Sequence, residues 1–516
     1  MKKILSFIGI IFCSQTMILA SESADPVKVA ILIDKRISSG WERAGIHPAK
    51  GIDDETFLRR VYLDLVGRIP TVSEARYFLS QKSSNKRGEL VNQLMVTGSH
   101  NRHLATLLRR NWLPQVDTPE FSGLSDDFER WIVFRLQEKT PYNHMVLEIL
   151  KSTVGFGQDA KAVRGELVTP IGFLKASESK PENLAANASR AFLGVNLDCA
   201  QCHDHPFARW TRDQFWQTAA FFAKPGINDS IKSYQPIILI PNTQKKVGPR
   251  LLDNSAAFFP KEFKEETGPF LLADWITSRN NPYFAKNAVN RIWAHIFGTG
   301  LVEPLDDLSG ESGSSGDLAD LLGQLADVFV STGYDLDFMI KAFVLSRTYQ
   351  LSTVAEGSPH EPKLIGRMPV RGLSGEQLYD SLRTASGLPL ERDDTGRGLG
   401  LESRKKFASQ FRIDSNVNAQ RSITQALALM NGSTSSELSN PNKNPMLSGL
   451  IESPFIDSKG KIETLFLAVL ARMPSHDQSK MFTDYLEGEL FKNNYHKALG
   501  DIFWVLINST EFNTNH

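Results

Sequence analysis

The sequence predicts a mainly α, multi-helical chain of two domains joined by a loop-rich, slightly β connection. Three observations predict it. Apolar residues recur at helical spacing along most of the chain, as at Phe57, Leu58, Val61, Tyr62 and Leu65. Capping-box spacing recurs with them, at Thr71-Val72-Ser73-Glu74, Thr211-Arg212-Asp213-Gln214 and Ser475-His476-Asp477-Gln478. Between 226 and 268 the helical pattern lapses. Pro-Gly and Asn-Asp pairs there surround Pro236-Ile237-Ile238-Leu239-Ile240-Pro241, which reads as loops with a short β element. The expected organisation is a signal peptide over 1–20, a helical domain over 27–225, the connection over 226–268, and a second helical domain over 269–516.

The N-terminus differs from the rest. Lys2 and Lys3 precede an apolar run from Ile4 to Ile11 that weakens toward Ala20. A basic start, a short apolar segment and a small residue at the cut make a secretory signal, with cleavage expected after Ala20. The alternative is an uncleaved anchor, for which the apolar stretch is short. Export to the periplasm or cell envelope is therefore expected, with no transmembrane span once the signal is removed. The chain has three cysteines, and Cys13 falls inside the signal, leaving Cys199 and Cys202.

Taken in order, a first helix is predicted over Val27 to Ile37. An amphipathic helix follows from Ile52 and ends at Gly67, where Arg68-Ile69-Pro70 turns the chain. Thr71 opens the next helix, through Leu79. Further helices are predicted over 86–96 and 100–113, and across 126–151. Residues 152–180 read as a Gly-rich polar connection. A helix starting at Pro181 should stop at Gly194, since proline suits a first turn and glycine a C-terminal stop. Another, capped by Thr211, should reach Ala223. After the connection, helices are predicted at Leu271–Thr277, Phe284–Phe297, Leu318–Thr332, Leu336–Leu345, Ser374–Ala385 and Ile423–Met430. Residues 433–460, rich in Ser, Asn and Pro, read as an exposed loop. Helices over 461–471, 476–490 and His496–Ser509 complete the chain. One echo stands out: Arg68-Ile69-Pro70-Thr71 and Arg472-Met473-Pro474-Ser475 each follow a helix and open a capping box, as a reused helix–turn–helix unit would.

The chemistry centres on Cys199-Ala200-Gln201-Cys202-His203, the attachment pattern of a c-type haem. Two intervening residues let one tight turn present both sulfurs to one edge of a macrocycle, and His203 then faces the iron. Phe207, Trp210, Phe215, Trp216, Phe221 and Phe222 lie nearby, as a flat apolar cofactor or an ordinary helix–helix core would require. Acidic and basic residues balance at 58 each, so no charge footprint calls for a nucleic-acid partner.

These residues resemble a known family, the paired DUF1549 and DUF1553 proteins, also called PSCyt2 (planctomycete cytochrome-like) and PSD1, of planctomycetes and verrucomicrobia. The first domain's resemblance lies in Phe57 through Thr71 and in Phe192-Leu193-Gly194-Val195 through Phe207, with Trp210-Thr211. The second domain's lies in Leu272 through Ser278, Asn281-Pro282-Tyr283-Phe284-Ala285, Asn290 through Gly298, Gly333 through Leu336, Ser346 through Ser352 and Leu506 through Phe512. The resemblance implies a cytochrome-like, haem-binding protein of no settled activity, so whether the chain is an enzyme stays open and no catalytic residue is assigned.

The leading reading is thus an exported protein carrying haem c at Cys199 and Cys202, with His203 as axial ligand, engaged in electron transfer with a redox or envelope protein partner. His295 and Met430 are the candidates for a second axial ligand. Asp204 and His205 are candidates for the surrounding shell; His205 is too close in the chain to reach the opposite haem face. Two alternatives stand beside it. In one, Cys199 and Cys202 form a disulfide or a metal site, although no second cysteine pair completes a strong zinc set. In the other, the chain is a helical envelope scaffold that binds partners. Glu303, Asp306 and Asp307 read as solvated acids rather than metal ligands, Asp53-Asp54-Glu55 as first-turn acids of a helix, and Arg291, Arg347 and Arg371 as anion partners or structural ion pairs.

Overall fold

Helix starts and stops follow their caps. A computed structural model describes residues 25–117, 122–154, 161–163, 166–206, 208–228, 233–253, 264, 266–308, 316–354, 364–390, 401–412, 421–488 and 494–516. The expected signal peptide and Phe207 lie outside the described residues. The helix Asp54–Val66 begins on Asp53, whose side chain accepts from the Thr56 N–H, and stops at Gly67 in the left-handed conformation. Complete capping boxes open Val72–Ser80, Arg212–Ala219 and His476–Glu487, as the spacing predicts. Helix Pro181–Ala188 runs on into one wide turn, Ser189–Leu193, and Gly194 ends it with φ 62°.

The fold is mainly α, with two hydrophobic cores. The first gathers residues from Val29 to Met368, plus Leu467. The second gathers residues from Leu373 to Phe512, plus Leu63 and Ile69. The two hydrophobic cores therefore divide near residue 370. Helices Phe284–Phe297, Asp317–Ser331 and Leu336–Leu345 complete the first core. The first helix, Pro26–Ala44, packs along Leu336–Leu345, and the Asp34 carboxylate accepts from the backbone N–H groups of Arg347 and Thr348.

The connection holds the expected β character. Pro225–Asn228 pairs with Ser233–Pro236, and Ile238–Leu239 with Lys246–Val247, all antiparallel. A further antiparallel pair joins Arg371–Gly372 to Thr514–Asn515, so the chain's last residues are carried to the junction of the two cores.

Three stretches depart from the sequence reading. The first helix continues past Ile37 to Ala44 because Ile37 and Trp41 both bury. Residues 433–460 are not a loop. They contain the helical segments Ser433–Leu438, Pro441–Lys443 and Pro445–Glu452, which bury Leu438, Leu447 and Leu450 in the second core. Asn444 caps the last of them and Pro445 fills its first turn, so the Ser, Asn and Pro residues there serve as helix starts. The helix Leu401–Gln410 is a further departure; its Phe407 stacks on Phe411 and meets Tyr379 at a tilt.

Candidate functional site

Gly194 and Val195 deliver the chain to a single 3₁₀ turn, Asp198–Gln201, whose first N–H is held by the Asn196 side chain at 3.0 Å. The loop beyond is braced from beneath. The Gln201 carbonyl accepts from Trp216 Nε1 at 3.1 Å. The Asp204 carboxylate accepts from the Arg212 N–H at 2.8 Å, tying the loop to the start of Arg212–Ala219. His205 closes the turn: its N–H donates to the Trp210 carbonyl at 2.8 Å, and its Nδ1 accepts from the Ala208 N–H at 2.9 Å. Asp204 and His205 thus act on the shape of the loop.

On this braced turn Cys199, Cys202 and His203 are all exposed, and both cysteines are free thiols. His203 Nδ1 lies 2.7 Å from the Asp204 carbonyl. A carbonyl only accepts, so Nδ1 carries the hydrogen, and in the neutral ring Nε2 is left with a lone pair. That is the arrangement that orients a metal-ligating histidine. The donor set therefore fits haem attachment: two accessible thiols two residues apart, followed by an imidazole held in the ligating tautomer.

Four of the aromatic side chains near the motif pack inward. Trp210, Phe215, Trp216 and Phe221 are buried in the first core. Trp210 meets Tyr283 edge-on at 6.4 Å, while the Arg209 guanidinium lies over Trp210 and donates to the Tyr283 hydroxyl. These rings support the loop from inside and leave the thiols on the outer surface.

The structure brings neither proposed second ligand to the motif. His295, on Phe284–Phe297, has Nε2 3.3 Å from the Asp64 carbonyl and its ring 5.5 Å from that of His103. It lines a partly open cavity of about 40 Å³ with His103, Asp64, Arg371, Glu376 and Arg404; no described residue of 198–212 lines it. Burial, reinforced by Arg371 and Arg110 and opposed by Asp64, pushes His295 down to about 4. Burial likewise holds His103 well below the usual imidazole range, with His295, His100 and Arg404 adding to it. Met430 lies on Ile423–Asn431, where its carbonyl accepts from Trp504 Nε1 at 3.1 Å, beside the second core.

The other candidates have structural partners. Arg291 binds Asn287, the Arg190 carbonyl and Asp306. Arg371 holds Asp64 through two bonds of 2.8 and 2.9 Å. Asp53 caps a helix, while Asp54 pairs with Lys86 and Arg87. Glu303 accepts from the Gly300 N–H, and Arg347 is exposed. Among the described residues, no group of three or more His, Cys, Asp or Glu is placed to hold a metal ion.

The sequence reading missed the cavity and its roots in Asp54–Val66. Arg59, Arg60 and Asp64 are all buried there. Arg59 donates to the carbonyls of Val469, Glu511, Phe512 and Thr514. Arg60 donates to those of Tyr349, Leu351 and His516. Asp64 accepts from Tyr349, Arg371 and Asn515. The available signal was three charges in a helix whose apolar residues already covered more than one face.

The fold and the surface motif define a mainly α, two-core protein bearing a Cys-x-x-Cys-His sequence on a braced loop. Residues 32–226 match PSCyt2, described as a protein of unknown function (DUF1549), and residues 270–410 match PSD1, described as a protein of unknown function (DUF1553). The chain belongs to the family that pairs these two domains. No curated protein and no solved structure matches it. Among the described residues, no helix is long and apolar enough to cross a membrane.

Proposed function

We propose that this is an exported c-type haem protein of the periplasm or cell envelope, with haem attached at Cys199 and Cys202 and ligated by His203. The observation that carries the reading is the His203 tautomer: Nδ1 is committed to the Asp204 carbonyl, and Nε2 is left to bind iron. Cys199 and Cys202 would hold the haem covalently through two thioethers. The bound haem would supply one-electron redox chemistry. The chain's own part is to hold the attachment turn in register through Trp216, Arg212 and the His205–Trp210 closure, and to keep the site at the surface. A surface site suits electron exchange with a redox or envelope protein partner.

The proposal assigns one axial ligand, His203, and gives His295 and Met430 no part at the iron. It is tested by producing the full chain in a host with haem-attachment machinery. Covalent haem absorbance and a reversible redox couple are expected. Cys199→Ser with Cys202→Ser should abolish the covalent haem without unfolding the chain, because both side chains are exposed. Free thiols or a Cys199–Cys202 disulfide in protein from that host would overturn the reading.

A further inference from the structure

The cavity beside His295 presents buried polar atoms that no described residue satisfies. Arg371 is 6% exposed; its terminal nitrogens bind Asp64 and the His295 carbonyl, and its Nε has no partner. Asn515 is 4% exposed, and its amide nitrogen donates to Asp64 at 2.9 Å. A carboxylate only accepts, so this bond fixes the amide orientation and leaves Oδ1, also without a partner, as an acceptor. His103 Nε2 is the third such atom. All three residues line the same cavity. Orphaned buried groups of this kind cost stability unless something occupies the space between them.

The charges around the cavity choose the occupant. Arg110, Arg371 and Arg404 face it, with Asp64 and Glu376. The carboxylates are already matched: Asp64 by Arg371, and Glu376 by Arg110 at 3.5 Å and Arg109 at 4.0 Å. Arg404 is paired to Asp380 from behind. The helix Gly375–Ala385 also begins here, with Ser374, Glu376 and Gln377 on the lining, so its positive end faces the space. Both histidines are disfavoured as cations, in part by these arginines. A metal cation would meet the same repulsion.

We propose that this cavity binds a small protonated oxyanion of the phosphate class. Such a ligand accepts from Arg371 Nε and from an Nε2–H tautomer of His103, and donates its own hydroxyl to Asn515 Oδ1. An acceptor-only anion such as sulfate leaves Asn515 unsatisfied. The site is separate from Cys199–His203 and does not depend on haem.

The test uses the full chain with ¹³C-labelled histidine. The His103 and His295 ring resonances are followed as inorganic phosphate is added, with chloride holding ionic strength constant and sulfate in a parallel titration. Saturable shifts and a raised unfolding midpoint are expected with phosphate, and roughly tenfold weaker binding with sulfate, the size of one unmet buried hydrogen bond. Leu107→Phe adds bulk to the cavity wall and removes no charged group, and should abolish the phosphate shifts while the circular dichroism spectrum stays unchanged. Asn515→Leu, which retains the strand pairing through its backbone, should erase the preference for phosphate over sulfate. Three results would each overturn the proposal: no saturable shift, as for a cavity holding water alone; an equal response to sulfate; or a full response in a folded Leu107→Phe protein.

Discussion

Residues 53–80 and 457–487 are two copies of one structural unit. Each begins on an aspartate cap, Asp53 or Asp457, and runs as a helix of 13 residues, Asp54–Val66 or Ser458–Leu470. Each ends in a left-handed residue, Gly67 at φ 73° or Ala471 at φ 61°. An arginine follows, whose Nη1 binds the next carbonyl and the capping-box side chain: Arg68 to Ile69 and Glu74, Arg472 to Met473 and Gln478. Each guanidinium also sits 5.4 Å from the ring centre of the aromatic six residues earlier, Tyr62 or Phe466. The copies touch, with Arg76 donating to Thr464 and Glu55 accepting from the Met473 N–H.

What differs is the charge they bury. Arg59, Arg60 and Asp64 of the first copy stand where the second has Glu463, Thr464 and Ala468. The second copy is ordinary core. The first uses the same scaffold to hold the chain's C-terminal residues and to wall a polar cavity. The cavity is therefore an addition to the unit, and substitutions at equivalent positions should separate the two roles.

The largest effect is expected at Asp64. Asp64→Ala gives the first copy the residue that the second has at 468, but strands Arg371 in the interior. Removing one partner of a buried ion pair should cost about 3–5 kcal/mol, measured by urea unfolding. Ala468→Gly should cost about 1 kcal/mol from helix propensity.

Gly67 against Ala471 comes next. The second copy shows that alanine can hold this conformation. At Gly67, however, a Cβ would stand 2.5 Å from His103 Nδ1. Gly67→Ala should therefore cost about 2–4 kcal/mol, combining left-handed strain with overpacking, and should shift the His103 resonance. Ala471→Gly should fall within about 1 kcal/mol of neutral, since relief of strain offsets the lost buried methyl.

Acid should act through the cavity side of the molecule. His295 titrates at about 4 in the folded chain and near 6.5 unfolded, so the unfolded state binds the proton first. The stability that neutral His295 contributes is complete above about pH 6.5 and is lost as pH falls toward 4, and neutral His103 acts in the same direction. Glu376 is lowered to about 2 despite its burial, chiefly by Arg110, Arg404 and Arg109, so its contribution is lost below about 4.5. Unfolding midpoints between pH 7 and 4 should fall less in His295→Gln, whose side chain cannot titrate. An equal fall in the variant would move the acid sensitivity elsewhere.

The smallest differences are expected at the caps. Thr71→Ala and Ser475→Ala should each cost about 1 kcal/mol by thermal unfolding. The first should cost slightly more, because Glu74, which completes its box, is charged and holds Arg68 through both oxygens, where Gln478 holds Arg472 through one.

Much of this architecture was legible because local signals fixed it. Capping boxes at Thr71, Thr211 and Ser475 opened helices where their spacing said, and Arg68-Ile69-Pro70 with Arg472-Met473-Pro474 exposed the repeat. The division between the two hydrophobic cores was not legible, because composition marks where a chain stops being helical, while packing decides which helices share a core. The Pro26–Ala44 helix and Asp34 reach residues more than 300 positions away, and no local pattern records that. The 433–460 region was misread because Asn444 and Pro445 look alike in a loop and at a helix start. At the candidate site, the Cys-x-x-Cys-His spacing gave the residues to which the proposal assigns haem attachment. The His103–His295 cavity was hidden because its walls come from six separate stretches of the chain.

The central claim rests on the peptide that contains Cys199 and Cys202. Its mass, measured from full-length protein made in a haem-attaching host, should equal that of the peptide plus one haem joined by two thioethers, and the haem should remain through denaturation. An unmodified or disulfide-linked peptide from that host would contradict the account.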